Sequence, residues 1–146
     1  MTELRVRVAV LAAAIANVLG WVLPVVDDYR GWQAFRVAFS PVWPFAEIPV
    51  TIPAGSLLVL SVTSALTNVV FVVLAIALAA GFARTRTRAQ GVLWTAAAAA
   101  IVNCHWPTSM GSMSERLALG YFVWVGGFVL LTLAAVFAVQ AHPRRK

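Results

Sequence analysis

The side chains that could do chemistry fall into two groups, far apart along this chain of 146 residues. Asp27 and Asp28 are adjacent, with Arg30 and Trp32 just beyond them. The second group is His105, Trp106, Glu115 and Tyr121, with Arg116 beside Glu115. Paired carboxylates can move protons or hold a cation. A single histidine with acids can contribute to a metal site, but no spacing typical of metal ligands is present. No phosphate-cradling loop and no nucleophile with an adjacent base can be read from the chain. Asp27, Asp28, Arg30, Trp32, His105, Trp106, Glu115 and Tyr121 are therefore candidates to bind a ligand. No catalytic residue, metal or cofactor is expected. An enzyme acting through Asp27, Asp28, His105 or Glu115 would need these groups to converge within hydrogen-bond reach.

The elements that must position these residues follow from hydropathy. Apolar residues make up 62% of the chain and charged residues 11%. A helix needs roughly 20 apolar residues to cross a bilayer. Four candidate spans meet or approach that length, at about 6–26, 57–83, 89–106 and 117–141. The expected fold is an all-α membrane protein, a four-transmembrane-helix bundle in a single domain over 1–146. The first run is too long for the core of a signal peptide, and no small-residue cleavage site follows it, so it is expected to remain as a span.

Charge gives orientation. Arg5, Arg7, Arg84, Arg86, Arg88, Arg144, Arg145 and Lys146 fall on one side of four spans. The other side carries Arg30, Arg36 and Arg116, with Asp27, Asp28, Glu47 and Glu115. Basic residues mark the cytoplasmic side, so both termini are expected there. The net charge of +6 then marks contact with anionic headgroups rather than nucleic acid. Membrane lipids are the expected partners, with a homo-oligomer or a larger membrane complex as further possibilities.

The loop at 27–55 is rich in aromatic residues. Trp32, Phe35, Phe39 and Trp43 recur at helical spacing, with Gln33, Arg36 and Ser40 opposite them. Pro41 should end that helix. The spacing predicts a short amphipathic helix over 31–40 in the first extracytoplasmic loop, lying in the interface or over the bundle. Pro41, Pro44, Pro49 and Pro53 should keep the return path extended.

No ionisable residue lies at mid-depth, which argues against ion-coupled transport by one subunit. The polar groups there are amides and hydroxyls. Asn17 and Asn68 come within about two turns of one another in depth, counting from the span ends. They are expected to face the interior and help fix helix packing. Small residues recur at helical spacing in all four spans, which lets membrane helices approach closely. Cys104 is the only cysteine, so no internal disulfide forms.

Gly31-Trp32-Gln33-Ala34-Phe35, Ala65-Leu66-Thr67-Asn68 and Gly120-Tyr121-Phe122-Val123-Trp124 occur together. With these motifs the chain resembles a group of small, uncharacterised four-span bacterial membrane proteins. The resemblance implies a bacterial inner-membrane setting and carries no activity. Of two functions, the first is the one expected and the second is its alternative. One is a non-enzymatic oligomeric or accessory component of the membrane. The other is a binder or transporter of a lipid-like or small molecule, with its site under the aromatic cap.

Overall fold

A computed structural model describes residues 2–43, 55–109 and 111–142. Pro44, Glu47, Pro49, Pro53, Arg144, Arg145 and Lys146 lie outside the described residues. The chain is mostly helical. The long helices are α1 (Thr2–Val22), α3 (Ser56–Ala79), α4 (Arg86–Cys104) and α6 (Leu119–Gln140). Three of them, α1, α3 and α6, are long and apolar enough to cross a membrane. The fourth, α4, has 19 residues. Its apolar character is diluted by Arg88, Gln90, Thr95 and Asn103, and five of its residues are consecutive alanines.

The helices run up and down, with α6 in the middle. It packs most closely on α1, next on α4, and also touches α3. The inward stripe of α1 is Val10, Ala13, Asn17 and Gly20, a helical spacing of three and four. Small residues make the α1–α6 seam close. A Cβ on Gly20 would lie 2.5 Å from Trp124 Cβ, and one on Gly127 would lie 3.2 Å from the Ala13 carbonyl oxygen. Outward faces carry Leu11, Ile15, Val18, Val72, Ile76, Trp94, Ile101 and Val129, all exposed. A continuous apolar surface of this kind suits lipid and not water.

At one end, α3 stops in a Schellman turn. Gly81 adopts φ 73°, Phe82 N donates to Ala77 O and Gly81 N to Leu78 O. That left-handed position favours glycine. Thr85 caps α4, its hydroxyl accepting from Arg88 N. His142 Nε2 donates to Ala83 O at 2.9 Å, and Arg86 donates to His142 O at 3.1 Å. The end of α6 is thereby tied to the α3–α4 turn. We call this the basic end.

The other end, the cap, departs from a simple loop. The apolar run at 6–26 predicts helix to its end, but the helix stops at Val22. Pro24–Val26 (β1) turns back and pairs antiparallel with Tyr29–Arg30 (β2). Pro24 cannot donate a helical hydrogen bond, so apolarity alone misplaces the boundary. Asp27 sits at the hairpin tip with φ 47°, a conformation that aspartate tolerates better than most residues. Val26 also bridges to Leu117, and Ala118 N donates to Val25 O. The hairpin thus joins the start of α6. A short helix α2 (Gly31–Phe39) follows, with Gln33 Oε1 accepting from Arg30 N at 2.9 Å. Trp106–Ser109 (α5) and a 3-10 turn at Gly111–Arg116 complete the cap.

Candidate functional site

The site begins with the polar stripe of α3. Ser61, Ser64, Thr67 and Asn68 are buried on one face. A polar atom buried without a partner is costly, so this face needs complementary groups. Asn103 of α4 supplies them and is wholly buried. Ser64 Oγ donates to Asn103 Oδ1 at 2.7 Å, and Asn103 Nδ2 donates to Thr67 Oγ1 and to Ala99 O, both at 2.9 Å. Trp106 Nε1 donates to Ser64 Oγ at 3.0 Å. Tyr121 Oη donates to the Asn103 carbonyl at 2.7 Å. Trp124 Nε1 donates to Asn68 Oδ1 at 2.9 Å, while Asn68 Nδ2 donates to Ser64 O and Ala65 O. Side chains from α3, α4, α5 and α6 are thus locked together.

Beneath α2 this network borders a cavity of about 390 Å³. Its wall on α3 is Leu57, Ser61, Ser64, Ala65 and Asn68, a stretch of roughly 16 Å at 1.5 Å per residue. The opposite wall is Gly20 and Trp21 of α1 with Tyr121 and Trp124 of α6. The roof is Gly31, Ala34, Phe35 and Ala38 of α2. Small side chains at the roof and on α3 leave the space. Gly31 also permits the close seating of α2, because a Cβ there would lie 2.1 Å from the Gly20 carbonyl oxygen. Trp21, Phe35 and Phe39 stack in sequence, with centroids 5.3 and 5.7 Å apart.

Asp27 and Arg116 stand at the rim. Arg116 grips the Asp27 carboxylate through two nitrogens, Nε at 2.9 Å to Oδ1 and Nη2 to Oδ2. Asp27 N also donates to Arg116 O. The carboxylate's hydrogen bonds, and then its charge, raise the Arg116 guanidinium above its ordinary value.

Of the candidates read from sequence, Asp27, Trp106 and Tyr121 line this cavity. Asp28, Arg30, His105 and Glu115 are exposed and do not line it. His105 lies against Thr108, whose hydroxyl is 3.3 Å from its Nδ1. Asp27, Asp28, His105 and Glu115 make no hydrogen bond to one another. Among the described residues, no three His, Cys, Asp or Glu side chains group to hold a metal ion. Trp32 is 40% exposed and has the Arg36 guanidinium 5.8 Å above its ring, an arrangement of cation–π type. The inward side of α2 carries Phe35 and Val37 with Gly31, Ala34 and Ala38, while Trp32 and Trp43 of the aromatic series are exposed. Large aromatic rings are also stable at an interface, so size does not fix the facing.

Asn17 and Asn68 are both buried, but they do not hydrogen-bond each other. The Asn17 backbone abuts Gly127 of α6, and its Nδ2 has no partner. Asn68 pairs with Trp124 instead. Sequence reasoning missed Asn103. The signal lay in the α3 stripe at 61, 64, 67 and 68, which requires an amide at matching depth on a neighbour. Comparison with protein-family models, with curated proteins and with solved structures finds no match to this chain.

Proposed function

We propose that this chain is a four-span protein of a bacterial inner membrane, with both termini cytoplasmic, that binds a small lipid-like molecule in the cavity beneath α2. The observation that carries the binding reading is the cavity itself. It is mostly apolar, has a few fixed polar groups, and descends about three turns along α3, deeper than a headgroup layer. Its volume of about 390 Å³ suits a small molecule or a single chain. Four spans are supported by the place of α4 in the bundle, between Arg86 and Arg88 at one end and the cap at the other. Orientation rests on the basic residues that cluster at the ends of α1, α3 and α4 remote from the cap.

Native mass spectrometry after gentle extraction tests this reading. The expected result is one extra mass per protein that is not a bulk lipid. It should vanish in Ala65→Leu, which fills the cavity, and persist in Val72→Leu on the exposed face. If only bulk lipids are carried by all three proteins, the binding reading fails. The same spectra then report on the accessory reading, through a homo-oligomer or a second protein.

A further inference from the structure

The polar groups at the cavity floor have already spent their hydrogens. Asn68 Nδ2 donates to the Ser64 and Ala65 carbonyls, and the indole hydrogens of Trp106 and Trp124 go to Ser64 and Asn68. Ser64 donates to Asn103, Tyr121 to the Asn103 carbonyl, and Ser61 to Leu58 O. What remains is acceptor capacity, because a hydroxyl and an amide oxygen each hold two lone pairs. Trp21, Tyr29 and Arg116 also line the cavity, at the end of α1, in the hairpin and beside Asp27, and none of them belongs to this set. A ligand whose polar group only accepts finds no hydrogen to take at this floor. It would bury that group unpaired, at a cost. A cationic donor would be desolvated with no carboxylate at the floor to meet it.

We propose that the floor selects an apolar molecule by a neutral hydroxyl group, which donates a hydrogen bond to Ser61 Oγ, Tyr121 Oη or Asn68 Oδ1. This rests on the binding reading above and adds the ligand's class. An alcohol is accepted, whereas a ketone, ester or ether of the same length is disfavoured.

The test uses the purified full chain in micelles and three brominated probes of equal length. They are bromododecanol, a matched methyl ether and a matched methyl ketone. Bromine quenches tryptophan fluorescence on contact, and Trp106 and Trp124 line the cavity. Each titration is corrected for partition of the probe into micelles. The alcohol should saturate the quenching at about one tenth of the ether or ketone concentration, the factor expected of one buried hydrogen bond. Ala65→Leu should abolish saturation for all three. Equal saturation by all three probes, lost in Ala65→Leu, would overturn hydroxyl selection and leave the binding reading intact. Absence of a saturable component for any probe would overturn both.

Discussion

The two halves of α3 meet their neighbours in opposite ways. From the cap end, Ser61, Ser64, Thr67 and Asn68 face hydrogen-bond partners and a cavity. Beyond them, Phe71, Leu74 and Leu78 face only carbon, in a core with Phe128, Leu131, Ala134 and Ala138. Phe128 is edge-on to Phe71 at 5.1 Å and to Trp124 at 5.5 Å. In lipid, hydrophobicity does not drive helices together, because acyl chains are as apolar as leucine. The basic half therefore coheres by filling space. The cap half uses directed bonds, which hold their geometry around a void. The difference teaches that one apolar helix can carry a closely packed half and a half that borders a cavity.

Four substitutions sharpen or break this contrast, each read as stability in a denaturant titration of the protein in mild detergent. Gly20→Val should cost most, about 3 kcal/mol, the upper end of overpacking effects. Its side chain must displace Trp124, whose Cα and Cβ lie within 3 Å of the new Cβ. A much smaller loss would mean that the cavity beside this seam lets the cap half yield. Phe128→Ala should cost about 2 kcal/mol, because the transfer part of the usual penalty is absent in lipid and the void part remains. Asn103→Ala should cost about 1 kcal/mol and release Ser64 and Thr67 to other partners. If Asn103→Ala costs more than Phe128→Ala, directed bonds and not packing dominate the whole bundle. Asp27→Asn should change stability least, since the Asp27–Arg116 pair is partly exposed and such pairs contribute little. Its effect should appear as faster exchange of the bound probe at the rim.

The long helices were legible because apolar runs of spanning length are set off by charged gaps, and three of the four are long and apolar enough to cross a membrane. The asymmetry of arginines was equally plain. The hairpin was not. Val22, Leu23, Val25 and Val26 are as apolar as the helix before them, and only Pro24 and the strained tip at Asp27 mark the change. Trp32 drew attention by its size, yet the roof of the cavity is Phe35 with Gly31, Ala34 and Ala38, and the three small residues signal through what they leave empty. Asn103 was hidden for a related reason. It closes a short alanine-rich run, and its role exists only when α3 stands beside it. Space between helices and partners across helices are tertiary facts, which periodicity within one segment does not encode.

The hydrogen bonds around Asn103 have one further consequence. The chain starts at the Trp106 indole, which has a hydrogen and no lone pair to receive one. It runs through Ser64 to the Asn103 oxygen. From the amide nitrogen it continues through Thr67 to the Ser64 carbonyl, which has lone pairs and no hydrogen to give. Neither end can reverse its role. A row of hydroxyls conducts protons only if it can turn over after each passage. This row is fixed in one sense, so it cannot relay protons by turning over.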